Sequence, residues 1–381
     1  MDDLVAGDPS HIGPFRLLGR LGAGGTGRVY LARSAGGRAV AVKLVREVHA
    51  QRAAFRSRFA QEVAAARQVN GAWTAHVLDA DATAEIPWVA TAYVAGPSLR
   101  DVVDRDFGPL PEPSLLVLAD RLALALTDIH SAGLVHRDLK PSHVLLAMDG
   151  PRVIDFGIAG AVAALSESDM AGTGVIVGSP GFMSPEQIQG KPVTPAGDVF
   201  CLGAVLAYAA TGRMAFGLPD SGLGMMLFRV VHEEPDLVGV PASLLPVVRA
   251  CLHKDPERRP TPEQLAGHLA TNGGPGHSWL PPEVLAQVAG HAAELRESGI
   301  PRGHRRQYPL PVPEDGYRPD PPPPPPAAAS EARMRRSPAR KAAGFPRGQQ
   351  RRSLSGALIV ALILLALVAW FVAWFFARSL T

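Results

Sequence analysis

The stretch from Leu134 to Gly157 limits what this chain can fold into more than any other. It reads Leu-Val-His136-Arg137-Asp138-Leu-Lys140-Pro141-Ser142-His143-Val-Leu-Leu, then a turn signal at Asp149-Gly150, then Val-Ile-Asp155-Phe156-Gly157. Two short apolar runs joined by a tight turn make a hairpin-like pattern. An acidic residue stands at the outer end of each run, so such a hairpin can bring Asp138 and Asp155 to one cleft. One carboxylate there can orient a hydroxyl, and the other can hold a divalent metal on a phosphate.

The stretch resembles the catalytic and metal-binding loops of the eukaryotic-like (Hanks-type) protein kinases of bacteria, in their Ser/Thr branch. Either triplet alone, His136-Arg137-Asp138 or Asp155-Phe156-Gly157, recurs by chance. Both in order, at about the family's separation and with Lys140 two residues after Asp138, form a specific signal. The resemblance implies that Asp138 receives the substrate hydroxyl proton, Lys140 steadies the γ-phosphate and Asp155 holds magnesium. The chain departs from the pattern at His143, where the family has an Asn that binds the second magnesium and braces the catalytic loop. Magnesium prefers hard oxygen ligands, whereas imidazole suits softer metals. Three outcomes stand open: one weakened metal site, a nucleotide-binding pseudokinase that serves as a scaffold, or a metal preference moved toward manganese.

Upstream, Leu21-Gly22-Ala23-Gly24-Gly25-Thr26-Gly27-Arg28-Val29 lies between alternating apolar and polar residues, the pattern of a β-hairpin over Phe15 to Tyr30. Glycines at these spacings let backbone N–H groups approach phosphates. The spacing alone is weak, because dinucleotide-binding folds share it; those need a helix straight after the glycines, and Val29-Tyr30-Leu31-Ala32 reads as a strand. Lys43 ends the apolar strand Ala39–Lys43, an expensive place for a cation without a charged partner. The family pairs this lysine with a helix glutamate, and Glu62, in the helix expected over Gln51 to Val69, is the candidate. Trp88 to Val94 is an apolar strand that resembles the family's last small-lobe strand and hinge, and the resemblance puts Thr91 where a residue guards the back of the adenine pocket. Pro113 to Ala132 has helical periodicity and ends on Gly133, a stop signal.

Downstream, Ser166, Ser168 and Thr173 fall between the Asp155-Phe156-Gly157 and Ser184-Pro185-Glu186 landmarks and are candidate phosphosites, with Arg137 a cation suited to hold a phosphate there. Asp198, at the start of an apolar helical run, reads as an N-cap or, as the resemblance implies, an acceptor for catalytic-loop N–H groups, or both; the resemblance also gives Ser179 the bracing of Asp138 and Lys140 and pairs Glu186 with Arg259. Cys201 and Cys251 sit in apolar helical stretches and supply neither a disulfide framework nor a zinc site.

Charge is unevenly placed. Residues 302–352 carry twelve Lys/Arg against four Asp/Glu, a net +8, and Arg378 adds one, which leaves −6 for the first 301 residues of a chain whose total is +3. The basic character belongs to a tail without interleaved aromatics, so nucleic acid is not an expected partner. That tail, with its proline run 321–326, has too little apolar content to fold and reads as an extended spacer. Residues 356–377 are an uncharged apolar run of 22 residues. At ~1.5 Å per residue it reaches roughly 33 Å, enough for a bilayer core of ~30 Å. Arg335, Arg336, Arg340, Lys341, Arg347, Arg351 and Arg352 precede it, so the positive-inside rule puts the N-terminal part in the cytoplasm.

The expectation is an α+β, bilobal fold: an N-terminal arm over 1–14, a kinase domain over 15–270 with a small lobe (15–94) and a helical large lobe (98–270), an extra helix at 281–298, a linker over 301–352, a transmembrane helix over 356–377 and a short far-side tail, 378–381. The expected activity is transfer of phosphate from ATP, with magnesium or manganese, to protein Ser and Thr hydroxyls and to the chain itself. Expected partners are ATP, such proteins and the bilayer, with a homodimer left open. A third alternative is an inert fold whose basic tail binds anionic lipid.

Overall fold

Alternation of apolar residues builds the first lobe as an antiparallel sheet. Its strands are β1 (His11–Ile12), β2 (Phe15–Gly24), β3 (Gly27–Arg33), β4 (Ala39–Val45), β5 (Val77–Asp81) and β6 (Trp88–Ala92), in the order β1-β2-β3-β4-β6-β5. The structure, a computed structural model, describes residues 1–24, 27–156, 179–217, 222–270 and 279–297. Gly25 and Thr26, the phosphosite candidates Ser166, Ser168 and Thr173, the linker 301–352, the apolar run 356–377 and the tail 378–381 all lie outside those residues. Among the described residues no helix is long and apolar enough to cross a membrane.

Neighbouring residues on a strand point to opposite faces. Along β6, Trp88 and Ala90 join a core with Phe15, Tyr30 and Val42, while Val89 joins one with Val45, Phe55, Phe59 and Val63. The second core forms under α2 (Ala53–Ala66), which follows the single turn α1 (Glu47–Ala50). Phe55, Phe59 and Val63 recur every four residues and so share one helix face, with the two phenyl rings stacked at 5.7 Å. This helix is shorter than the expected span of Gln51 to Val69, because Arg52 is extended and Arg67 closes its last turn.

The arm 1–14 is part of this lobe. Asp2 bridges Arg20, and the Asp8 carboxylate, with its side chain 1% exposed, takes two hydrogen bonds at 2.7 Å from Arg20 and one at 2.8 Å from Tyr30 Oη. The Arg20 guanidinium holds the Asp8 carboxyl well below the usual carboxylate range.

The second lobe is mainly helical: α3 (Leu99–Asp101), α4 (Glu112–Ser131), the hairpin β7 (Val144–Ala147) and β8 (Gly150–Val153), α5 (Pro185–Ile188), α6 (Pro195–Thr211), α7 (Leu223–His232), α8 (Leu245–Cys251), α9 (Pro262–Ala270) and α10 (Pro282–Glu297). α4 turns Leu115, Leu118, Leu122, Leu126 and Ile129 inward. α6 is apolar all round and buried from Gly197 to Ala209, as a central helix must be. It lies so close to α8 that a Cβ on Gly203 would come within 2.6 Å of Cys251 Cβ. α10 belongs to the same core through Val284 and Val288, and ahead of it the Trp279 indole N–H donates to Ala147 O at 3.0 Å.

Candidate active site

The loop after α4 is shaped by backbone conformations that side chains rarely adopt. Arg137 (φ 65°) and Asp155 (φ 62°) are the positive-φ residues other than glycine among those described. Arg137 is clamped from both sides. Its N–H donates to Asp198 Oδ1 at 2.8 Å, and its carbonyl accepts from Gln187 Nε2 at 2.7 Å. Asp198 Oδ2 also accepts from His136 N at 2.7 Å and from His130 Nε2 at 2.8 Å. Asp198 is therefore an acceptor for the loop; the N-cap of α6 is Thr194, because Asp198 already lies inside the first turn. Neither Gln187 nor His130 was singled out from the sequence. Their partners lie 50 and 68 residues away, and only the fold brings them together.

Asp138 and Asp155 face one cleft of 680 Å³. The Lys140 ammonium donates to Asp138 Oδ2 at 2.6 Å. Leu21, Gly22, Ala23, Gly24, Gly27 and Val29 form its roof. Gly27 is required at its position, since a Cβ there would come within 2.1 Å of Leu44 O. Val29 sits opposite Lys43 in the β3–β4 register, which aims the lysine into the same cleft.

Among the described residues, Lys43 pairs with Asp155 rather than with the expected Glu62. Lys43 Nζ donates to Asp155 Oδ2 at 3.1 Å, and Glu62 Oε1 lies 3.6 Å from Arg137 Nη1. Burial works to raise the Asp155 carboxyl, but its neighbours, the Lys43 ammonium first among them, together outweigh it and lower the group to about 2. Ser179 does not hydrogen-bond Asp138 or Lys140 in this structure. The lysine closes directly on Asp138, and Ser179 lines the neighbouring groove.

His143 occupies the space between the two carboxylates. Its Nδ1–H donates to Asp138 O at 2.8 Å, so the lone pair is on Nε2, which lies 3.8 Å from Asp155 Oδ2. Burial lowers its pKa to about 4 against the opposing pull of Asp155 and Asp138, so the imidazole is neutral at neutral pH. A neutral ring with an open lone pair beside a carboxylate fits a divalent ion, with one nitrogen donor where the family supplies an amide oxygen. Among the described residues no three His, Cys, Asp or Glu side chains form a metal cage by themselves.

The cleft closes at its back on Thr91 and along Ala92, Tyr93 and Val94. Beyond the latter, Gly96 packs so tightly on β7 that a Cβ would come within 2.0 Å of Leu146 O. Lys140 and Ser142 also line a second groove of 560 Å³, with Pro180, Phe182, Met214, Leu223 and Met226. Outside the loop, Arg259 grips Glu186 through two hydrogen bonds at 2.7 and 2.9 Å.

A family model described as "Protein kinase domain" matches residues 15–269. The chain is 48% identical over 303 residues to the "Probable serine/threonine-protein kinase PkwA" of Thermomonospora curvata, covering 80% of this chain and 39% of that protein. It is also 48% identical over 299 residues to the "Serine/threonine-protein kinase AfsK" of Streptomyces coelicolor, covering 76% of this chain and 37% of that protein. The chain thus spans well under half the length of these relatives. The crystal structure of the Mycobacterium tuberculosis PknI kinase domain superposes with a TM-score of 0.54 at 22% identity, covering 70% of this chain and 99% of that one, a likeness of fold. The matched residues run from the start of β2 into the last turn of α9 and take in both lobes, and the chain belongs to the protein kinase family.

Proposed function

We propose that the chain is an ATP-dependent Ser/Thr protein kinase that modifies protein hydroxyls and itself, and that it is held at a membrane by residues 356–377 with its lobes in the cytoplasm. One observation carries the enzymatic part. Asp138, with Lys140 on its carboxylate, stands where the 680 Å³ cleft and the 560 Å³ groove meet, and Lys140 and Ser142 line both. A nucleotide in the first and a peptide in the second would put the γ-phosphate and a hydroxyl on either side of that pair. The names of the relatives support the Ser/Thr assignment.

The purine would lie between Val29, Ala41 and Leu145 against the backbone of Ala92 to Val94, with the glycine loop over the phosphates and Lys43 orienting them. Asp138 accepts the proton of the attacking hydroxyl. The substrate oxygen bonds to the γ-phosphorus, the bond from that phosphorus to the β-phosphate oxygen breaks, and ADP carries away the electron pair. Lys140 offsets charge on the transferred group. Asp155 and His143 Nε2 would hold the divalent ion, which when bound neutralises phosphate charge. Through its bond to Asp138 O, His143 also holds the catalytic loop.

The test is transfer of labelled phosphate from ATP to the protein and to a general acceptor, with magnesium and then manganese. The expected result is weak but measurable incorporation that is favoured by manganese. It should fall about a hundredfold or more in Asp138→Asn and rise with magnesium in His143→Asn. A second function is favoured by His143 alone: a nucleotide-binding scaffold. ATP binding without incorporation under either metal would establish it over the first.

A further inference from the structure

The cleft has a wall that lies beyond the matched domain. The family match ends at residue 269, yet His291 lines the cleft. It is carried there by α10, whose Val284 and Val288 are fully buried in the large-lobe core. Trp279, bonded to the last residue of β7, fixes the entry to that helix. His291 follows Val288 by three residues and so lies on the flank of the docked face.

The chemistry of the ring is set by its own helix. Nδ1–H donates to Gln287 O at 3.0 Å, which leaves Nε2 as an acceptor, and among the described residues it has no partner. Lys43 and Asp155 mark the phosphate end of the cleft, and Ala92 to Val94 the purine edge. The cleft is also lined by Ser98, Arg100 and Asp101, which follow the hinge in the chain, and by His291. Among these are the candidates to meet the sugar hydroxyls of a nucleotide bound in that sense. Ser98 and Asp101 are already committed: Ser98 Oγ donates to Asp101 Oδ2 at 2.7 Å and accepts from Asp101 N at 3.1 Å, and Asp101 Oδ1 accepts from Arg105.

We propose that His291 is a nucleotide-contacting residue whose Nε2 accepts a hydrogen bond from a ribose hydroxyl, so that docking of α10 and binding of nucleotide reinforce each other. It rests on the ATP site proposed above. Coupling of this kind is reciprocal: a docked α10 tightens nucleotide binding, and bound nucleotide tightens α10.

The experiment is calorimetric titration of the full chain with ATP and with 2′,3′-dideoxy-ATP, which lacks the hydroxyls. His291→Ala is expected to weaken ATP about two- to tenfold, the range for one net hydrogen bond, and to leave dideoxy-ATP binding unchanged. His291→Gln, which keeps an acceptor, is expected to recover much of the loss. Hydrogen exchange over 282–297 should slow when ATP is added to the wild type, and less so for His291→Ala. Equal affinities of wild type and His291→Ala for ATP, or equal losses for both nucleotides, would overturn the proposal while leaving the ATP site standing. A wild type that binds neither nucleotide would overturn both.

Discussion

Arg137 and Asp155 hold backbone conformations that cost of order 1–3 kcal/mol each; the first precedes Asp138 and the second carries the other site carboxylate. At Arg137 the cost is offset by one hydrogen bond to the buried Asp198 carboxylate, worth roughly 1.5–3 kcal/mol, and by the amide of Gln187. Gln187 has two jobs: its Oε1 accepts from Ser184 N at 2.9 Å at the start of α5, and its Nε2 donates to Arg137 O. Gln187→Glu keeps the first and replaces the second with an oxygen facing a carbonyl. The expected outcome is a fall in kcat of about three- to tenfold with little change in KM for ATP, read from steady-state phosphotransfer. A loss confined to KM would mean that Arg137 does not position Asp138. At this scale the sequence carried the motif residues but not their contacts. Lys43 was legible as a charge in need of a partner, and the resemblance offered Glu62. The contacts they make with Asp155 and Arg137 depend on which groups the two lobes bring within reach, and no spacing along the chain encodes that.

Between elements, the Glu186–Arg259 pair ties α5 to the segment before α9. Arg259 also donates to Ala196 O at 2.8 Å in the first turn of α6 and to His253 O at 2.8 Å, and it lies 5.0 Å from the Phe200 ring. Its side chain is fully buried, so removing it strands a buried carboxylate, a loss of about 3–5 kcal/mol. Arg259→Ala is expected to lower the urea midpoint accordingly. The pH profile gives a second readout. Burial pushes the Glu186 carboxyl up, but the hydrogen bonds from Arg259 hold it below its ordinary value. A depressed carboxyl stabilises the fold above the unfolded pKa of about 4.3, and that contribution is lost as the pH falls through the lower folded value. The acid-side decline in stability should therefore be shallower in Arg259→Ala than in the wild type. Elements with strong periodicity were legible: the hairpin around the glycines, the strand ending near Lys43, α4 and α6. The arm was not, because a two-residue strand and a buried Asp8 leave no pattern, and the docking of α10 was not, because an amphipathic stripe does not name the surface it covers.

For the whole molecule, the separation of charge makes orientation testable. The acidic first 301 residues and the linker of net +8 are followed by an uncharged run of 22 residues. Burying that run as a helix in lipid is favourable without any partner, whereas the basic linker resists transfer across a membrane. The full chain is therefore expected to sediment with membranes, to resist extraction by high salt and to be released by detergent. Extraction by salt alone would instead assign the attachment to the linker's charge, which is screened within a Debye length of about 8 Å at physiological ionic strength. Leu364→Arg with Val368→Arg puts two charges near the centre of the run, at about 2.5–3.5 kcal/mol each on the insertion scale, and should move the protein to the soluble fraction with phosphotransfer per molecule unchanged. Protease added outside intact cells should leave the lobes uncut. Cleavage within residues 1–297 from that side would reverse the orientation and separate the lobes from cytoplasmic ATP.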